Sequence, residues 1–426
     1  MNMTKNKNIL VIGAGLAGIE ASLLLAKAGR TVHLVEQQSY FGGASIKSEE
    51  VVPNMECATC MLAPKQSDIL ENKNIDLLTL SEVTAIQGEA GNFQVTIHKK
   101  ARYVSLENCI GCGACFEPCP VESPNAFEEN MIQRKAVYVV CAGALPNAPM
   151  IDMEQCLRSK GQNCTACKEA CMFDAILFDD KDETMTITVG AIIIATGYSL
   201  GDLGQFPEFG YKKLPGVYSA FEFERLRASN GPTSGTITLR DGRKPGSIAL
   251  IHCVGRAQKG YCSQCCCMYL AKFAHYAFDQ IENVRIYELF QEISIPGKGN
   301  QKFFKEVIEK GVQQIRVSSL SITGNDHDPG LKIAYTNGSA EASIIDVDMA
   351  ILAPYMEPSP NTKALATVLG VDLDDHGFIK TGPLDPVTTT RHGILAIGCA
   401  QKPQFMSGVT IQAHIAAGQA LSLTED

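Results

Sequence analysis

The stretch NILVIGAGLAGIEASLLLAKAGRTVHLVE, residues 8–36, carries the reading of the fold. Asn8 to Ile12 forms a short buried strand, GAGLAG places Gly13, Gly15 and Gly18 in a turn, IEASLLLAKAG is a helix, and TVHLVE is a second strand ending in Glu36. Each part sits where a dinucleotide needs it. The glycines let the backbone approach a pyrophosphate, the helix N-terminus attracts its charge, and the carboxylate receives ribose hydroxyls. A lone GxGxxG is a weak signal that a fortuitous glycine turn also gives; in the order strand, turn, helix, strand, acid it is a strong one. The residues expected to line the dinucleotide here are Gly13, Gly15, Leu16, Ala17, Gly18, Glu36, Gln37, Gly43 and Val83.

Two later segments decide between FAD and NAD. VGAIIIATGY (189–198) is a buried strand ending in Ala195, Thr196 and Gly197; HGILAIGCA (392–400) is another, with Gly398 at its tip and the helix GVTIQAHIAAGQAL beyond. Together the three pieces resemble the FAD domain of the two-dinucleotide-binding-domain flavoproteins, of which thioredoxin reductase is one. In those proteins the last strand ends in Gly-Asp and the acid binds ribitol. Here Cys399 stands in place of that Asp.

Eight of the 17 cysteines spell two interlocking ferredoxin motifs, CIGCGACFEPCP (109–120) and CLRSKGQNCTACKEAC (156–171). Three cysteines at i, i+3 and i+6 wrap one corner of a cubane, while a fourth, four positions on, points at the other cluster. On that rule Cys109, Cys112 and Cys115 share a 4Fe-4S cluster with Cys171, and Cys156, Cys164 and Cys167 share theirs with Cys119; the widened gap before Cys164 departs from the compact run but leaves the ligand set complete. A zinc knuckle or a structural disulfide pair is the plainer alternative, but two-cluster spacing is far more specific than a lone CxxC.

Residues 247–355 read as a second, nicotinamide-type nucleotide-binding domain, with strands SIALIHCVG, NVRIYELF and VDMAILAP. Where its phosphate loop belongs, the chain has HCVGRAQKGYCSQCCCMY, so a pyrophosphate lacks the glycines it needs. Cys253, Cys262, Cys265, Cys266 and Cys267 crowd that turn instead. Adjacent cysteines at a helix start cannot all face one core, so core packing accounts for at most two of the five. A third metal centre in the abandoned nucleotide site is the better account.

Nearly the whole chain then resembles the heterodisulfide reductase A subunit and its relatives, including the A subunit of the quinone-interacting membrane-bound oxidoreductase. The resemblance is carried by GAGLAGIEASLLLA with Glu36, ECATCMLAPK (56–65), LLTLSEV (77–83), KKARYVSLENCIGCGACFEPCPVESPN, SAFEFERL (219–226), and IHCVG with YCSQCCCMYLAK. It implies one FAD in a thioredoxin-reductase-like body and a 4Fe-4S cluster at the cysteine-rich turn, held by Cys253, Cys262, Cys266 and Cys267. Cys265 is extra to that pattern. It also implies that Lys272, five positions after the second paired cysteine, looks toward flavin N5, against the plainer reading of a solvated helix lysine. In this family the thiol chemistry belongs to a separate partner subunit. The methanogen A subunit carries a further ferredoxin unit at its C-terminus, so the expectation is an electron path given to another subunit, or a confurcating or linear variant.

Other cysteines say less. Cys57 and Cys60 form a CxxC that is either structural or a redox pair facing the flavin, and Cys141, in the strand-like VYVVCAGALP, reads as buried. The eight histidines show no ligand spacing, and His252 reads as a cluster neighbour rather than a ligand. With 37 Lys and Arg against 46 acids, a net charge of −9 and no basic run, nothing points to nucleic acid or an anionic membrane surface. No run of about 20 apolar residues exists and no signal segment precedes the first strand, so a soluble, cytoplasmic chain is expected, whose reducing compartment turns cysteines toward metals.

The expected fold class is α/β: a two-dinucleotide-binding-domain flavoprotein with an inserted two-cluster ferredoxin domain. FAD-domain segments occupy 1–100, 186–245 and 356–426, the ferredoxin insert 101–185, and the modified nucleotide domain 246–355. The expected function is an FAD and iron–sulfur electron-transfer subunit of a heterodisulfide-reductase-like complex, with three 4Fe-4S clusters and flavin-based bifurcation as the sharper form. Expected partners are the other subunits of such a complex and a ferredoxin or a hydrogenase- or dehydrogenase-type donor, around a homodimer. The alternatives are a non-bifurcating relay subunit of a quinone-linked complex and a self-sufficient NAD(P)H:acceptor oxidoreductase, against which the missing second GxGxxG argues.

Overall fold

A computed structural model describes residues 5–325, 328–338 and 341–425. The first glycine-rich unit folds as its pattern dictates: β1 (Ile9–Ile12), α1 (Leu16–Lys27) and β2 (Val32–Val35). Helix α2 (Ala58–Glu71) leads to β3 (Ile75–Leu78), and β4 (Ala191–Ile194) arrives from far along the chain. Every residue of β1 and β4 is buried, which explains why neither alternates apolar with polar.

The second domain opens with β5 (Val217–Ser219) and α3 (Ala220–Arg227), then β6 (Ser247–Val254), α4 (Cys266–Gln280), β7 (Arg285–Phe290), β8 (Gln313–Arg316) and β9 (Met349–Pro354). The chain returns to the first sheet through β10 (Ile394–Ala396) and ends on α5 (Met406–Leu423). The first sheet runs β10-β4-β1-β2-β3 and the second β5-β9-β6-β7-β8, all parallel. In each, the strand order reverses beside the central strand, β1 or β6, and the crevice for a ligand lies beyond the C-terminal ends at that point. Gly13 follows β1; Cys253 is the penultimate residue of β6.

Residues 217–227 depart from the sequence division, which assigned them to an FAD-domain segment. β5 pairs with β9 of the second sheet, Val217 opposite Ala350. A three-residue strand has too little pattern to declare its sheet. Strands Phe93–Lys99 and Glu183–Val189 pair antiparallel with Lys99 opposite Glu183, so the segment between them begins and ends at neighbouring points. An insertion with adjacent ends leaves the host sheet undisturbed. Within it, two-residue hairpins and a small core around Val104, Val137, Ile151 and Ile176 replace regular layers. Cys141 is not in a strand: the strand there stops at Tyr138, and the half-buried cysteine sits in a turn.

The larger cores lie on the sheets. Helices α1 and α5 meet through alanines, Ala17 and Ala21 against Ala413, Ala417 and Ala420, over the β1 and β4 side chains Ile9, Val11 and Ile193. Full burial of each such isoleucine or valine contributes about 1.5–3 kcal/mol. Among the described residues, no helix is long and apolar enough to cross a membrane.

Candidate functional site

At the end of β1, Gly13 takes φ +102°, and a Cβ there would strike the Ala195 carbonyl at the end of β4. At Gly18 a Cβ would strike the Gly13 carbonyl, so that glycine holds α1 close under the turn. Gly15, the N-cap of α1, bridges to Gly42, and no side chain caps the helix, which leaves the amides of Leu16, Ala17 and Gly18 facing the turn. Gly43 opens a short 3-10 helix beside Gly15. Glu36 follows β2 directly and accepts the amides of Ala14 at 2.9 Å and Gln38 at 2.9 Å; burial outweighs those bonds and raises its carboxyl above the ordinary value. Gln37 beside it is exposed, and Val83 is buried in the adjoining core with Val35 and Leu78.

Across the crevice, Ala195 is buried, the Thr196 hydroxyl is buried with no hydrogen-bond partner, and Gly197 has open space about its Cα. Gly398 follows β10, its amide donating to Gln412 Oε1 of α5 at 2.8 Å, and the Cys399 thiol, pushed up to about 11 by burial, contacts the Gln404 carbonyl at 3.7 Å. An uncapped helix start, a desolvated carboxylate acceptor and an orphaned hydroxyl fit a pyrophosphate and polyhydroxyl group such as FAD. The resemblance puts a ribitol-binding acid at Cys399, and a neutral thiol cannot take that role.

Between the two sheets stands a buried polar group. Lys272, on α4, is 1% exposed; its ammonium donates to Glu224 Oε2 at 2.6 Å and to the Glu50 carbonyl at 3.0 Å, with Tyr269 beneath at 4.5 Å. The plainer reading of a solvated lysine fails here. Burial lowers the Lys272 pKa while Glu224 holds the charge in place. Glu224 is fully buried and also accepts the Glu49 amide at 2.8 Å. The Tyr198 hydroxyl is pushed up by burial first, then by Cys399, Cys265 and Glu224, which places both cysteines and Glu224 near one tyrosine.

The eight ferredoxin-motif cysteines sort into two sets. Cys109, Cys112, Cys115 and Cys171 line one apolar cavity with Val104, Pro149 and Ile176; Cys119, Cys156, Cys164 and Cys167 line another with Val121, Val137 and Phe178. Burial pushes Cys115 up to about 12 and Cys167 up to about 11, so these thiols ionise only with a cation in the cavity. Among the described residues no three His, Cys, Asp or Glu side chains converge as a single ion requires. Four sulfurs around one apolar cavity suit a cubane with its ligands at separate corners.

At the cysteine-rich turn, Cys253 has φ +60°, uncommon for a non-glycine residue, and its thiol lies 3.7 Å from the Glu292 carbonyl. Cys266 and Cys267 open α4. Cys267 is lowered to about 5, first by a hydrogen bond from Cys266 and then, against burial, by His252; Cys266 is raised correspondingly, with Cys262 and Cys253 contributing. His252, 4% exposed, pairs with Glu288 at 3.0 Å. Cys265 turns the other way: it packs on the core of the first domain and is raised by burial and then by Cys399, whereas Cys266 packs on the second.

Sequence reading missed the charges that join the pieces. Arg225 grips Glu128 of the insert through two bonds of 2.8 and 2.9 Å, and Arg102 donates to Ser39 O at 2.6 Å and Thr79 Oγ1 at 3.0 Å. Each arginine stands among other charges, in FEFERLR (221–227) and HKKARY (98–103), so nothing in the sequence sets it apart.

A profile described as an FAD binding domain matches residues 8–50, and one described as a 4Fe-4S binding domain matches residues 102–124. The A subunit of the H(2):CoB-CoM heterodisulfide,ferredoxin reductase of Methanothermobacter marburgensis is 35% identical over 422 residues, 96% of this chain and 63% of that protein. The iron-sulfur A subunit of the CoB--CoM heterodisulfide reductase of Methanocaldococcus jannaschii is 36% identical over 421 residues, 97% of this chain and 63% of that protein. The chain thus spans less than two thirds of the length of these curated relatives. Among solved structures, thioredoxin reductase from Lactococcus lactis superposes with a TM-score of 0.55 at 14% identity, covering 98% of this chain and 99% of that one. Thioredoxin reductase from T. acidophilum gives 0.53 at 13%, covering 97% of both, and at such identities the likeness speaks for the fold alone. Along nearly its own full length the chain is homologous to proteins named as heterodisulfide reductase A subunits, and it carries FAD-binding and 4Fe-4S binding sequences on a thioredoxin-reductase-like fold.

Proposed function

We propose that the chain is the electron-transfer subunit of a heterodisulfide-reductase-like complex, carrying one FAD in the crevice of the first sheet and three 4Fe-4S clusters. The observation that carries this reading is the sorting of eight cysteines into two four-cysteine cavities beside a dinucleotide crevice. FAD, when bound, supplies the junction between paired and single electrons. The amides of Leu16 to Gly18 hold its pyrophosphate, Glu36 its ribose, and Thr196 with Gly398 the far side of the crevice. Cys109, Cys112, Cys115 and Cys171 hold one cluster and Cys119, Cys156, Cys164 and Cys167 the next; Cys253, Cys262, Cys266 and Cys267 hold the third. His252, kept in place by Glu288, offers positive charge to Cys267, and Lys272, held by Glu224, would face the isoalloxazine as the resemblance implies.

The relatives' printed names differ in donor, hydrogen in one and ferredoxin or F(420)H(2) in another. The donor therefore lies with partner subunits, and bifurcation is the finer form of the proposal. Anaerobic protein should hold about 12 Fe, from three clusters of four, and about one FAD per chain. About eight Fe after full reconstitution removes the third cluster, and co-purifying subunits identify the complex.

A second reading, direct reduction by a nicotinamide, has one observation in its favour. A cleft at the end of the second sheet is lined by Arg256, Tyr261, Gln291, Glu292 and Arg316. Bleaching of the flavin by NADH in the isolated chain decides for it.

A further inference from the structure

The flavin and cluster assignments leave Cys57 and Cys60 unused. Both stand at the start of α2: Cys57 is its N-cap, its sulfur accepts the Cys60 amide at 3.2 Å, and the two are joined as a disulfide with Cα atoms 5.3 Å apart. Cys57 is half-buried and Cys60 exposed, with Met61 beside it 49% exposed. A staple across so short a loop contributes less than the about 3 kcal/mol of a 15-residue loop, so stability is a poor reason for it. A helix N-terminus favours a thiolate, which makes Cys57 the better leaving group.

The placement is the second argument. Cys57 lies opposite Glu50 in a two-residue hairpin, and the Ala58 amide donates to the Glu49 carbonyl at 2.9 Å. Those two glutamates are the backbone neighbours of the buried pair: Lys272 donates to the Glu50 carbonyl, and Glu224 accepts the Glu49 amide. At its other side α2 sends Gln66 to the Phe41 carbonyl at 2.8 Å, beside Gly42 of the crevice. The CxxC is therefore open to solvent on one side and one hairpin away from Lys272 and Glu224 on the other.

We propose that Cys57 and Cys60 are a dithiol–disulfide exchange site that takes an electron pair from an external dithiol. A donor thiolate attacks the exposed Cys60 sulfur, forming a donor–Cys60 disulfide and breaking the Cys57–Cys60 bond, with the electron pair leaving on Cys57. The donor's second thiolate then attacks its own bonded sulfur and releases Cys60. The donor is oxidised to a disulfide, the CxxC is reduced by two electrons, and two protons pass from donor thiols to the pair. This exchange needs no cofactor; only its onward link to FAD rests on the function proposed above.

The full-length protein, isolated anaerobically with its cofactors, is equilibrated with mixtures of reduced and oxidised dithiothreitol, acid-quenched and alkylated, and the peptide holding both cysteines is weighed. The expected result is a reversible two-electron titration in the folded protein with FAD and iron contents unchanged. A disulfide reduced only on denaturation, or a pair that stays a dithiol in excess oxidised dithiothreitol, overturns the proposal. Glutathione, a monothiol that stalls at the mixed disulfide, should be found by fragmentation of that peptide mainly on Cys60; an adduct mainly on Cys57, or shared equally, overturns the assigned order of attack. Reduced thioredoxin acting at least tenfold faster than dithiothreitol makes the donor a protein, comparable rates make it a small dithiol, and no reduction by either sinks the site. Photoreduction of the flavin should raise the thiol count at these positions by about two. Loss of FAD absorbance would fault the flavoprotein reading and leave the exchange test standing.

Discussion

Lys272 and Glu224 form a pair with no net charge, and that changes what each residue does. Two opposite charges in contact act at a distance as a dipole, far weaker than an isolated cation. Removing one member uncovers the other. Lys272→Met should leave a buried anion and shift the flavin midpoint potential to more negative values, whereas Glu224→Gln should leave the cation and shift it to more positive values. Both should keep FAD bound, because Gly13 to Gly18 and Glu36 lie elsewhere. Spectroscopic redox titration reads the two signs, and shifts of the same sign would place the pair away from the flavin. Each single change should also cost about 3–5 kcal/mol of stability, the range for stranding one partner of a buried ion pair, measurable by denaturant unfolding. Glu36 gives a pH-dependent counterpart. Its folded-state pKa is raised by burial, so the cofactor-free chain binds an extra proton between the ordinary and the raised value. Stability of that form should fall as pH rises through this window, while FAD, whose hydroxyls need the carboxylate as acceptor, should bind more weakly as pH falls through it. Glu36→Ala should lose about 1.5–3 kcal/mol of FAD affinity in a fluorescence titration without loss of iron, since hydrogen bonds to charged groups contribute that much.

The first turn of α4 packs three consecutive cysteines into two different surroundings. Cys265 faces Cys399 and the first domain, while Cys266 and Cys267 face Cys253, Cys262 and His252. Serine at position 266 or 267 should therefore remove one cluster signal from the electron paramagnetic resonance spectrum and about four of about 12 Fe, sparing FAD. Cys265→Ser should keep all the iron; equal losses from the three variants would mean a different ligand set. Here the limits of sequence reading are visible. Spacing alone split the ferredoxin cysteines into the two sets that line separate cavities, because ligand geometry fixes local sequence. The strand, turn and helix of 8–36 were equally legible, since burial and glycine placement leave periodic marks. Glu224 gave no sign of its partner, because a pair 48 residues apart has no pattern. Nor did β5 show its sheet, being three residues long.

At the scale of the molecule, one side chain closes the joint between all three bodies. Arg225 on α3 has no exposed surface; it holds both Glu128 oxygens of the insert, donates to the Lys47 carbonyl of the first domain at 3.1 Å, and lies 5.0 Å from the Phe127 ring. Lys47 adds a 2.7 Å pair with Glu129 of the same insert turn. A guanidinium offers several fixed donors at once, which a lysine cannot reproduce, so the joint has both strength and direction. The insert has little regular structure of its own and depends on such contacts for its position against the flavin crevice. Arg225→Met strands Glu128 in a buried site and should lower stability by about 3–5 kcal/mol. Because both cysteine sets lie wholly within the insert, cluster and FAD contents should stay at wild-type values, while electron transfer between flavin and insert slows in stopped-flow absorbance. Adding Glu128→Leu removes the stranded charge, so the double variant should regain most of the lost stability but not the transfer rate. A stable, correctly loaded double variant that transfers electrons at the wild-type rate would show that the joint holds the fold together without setting the path between flavin and clusters.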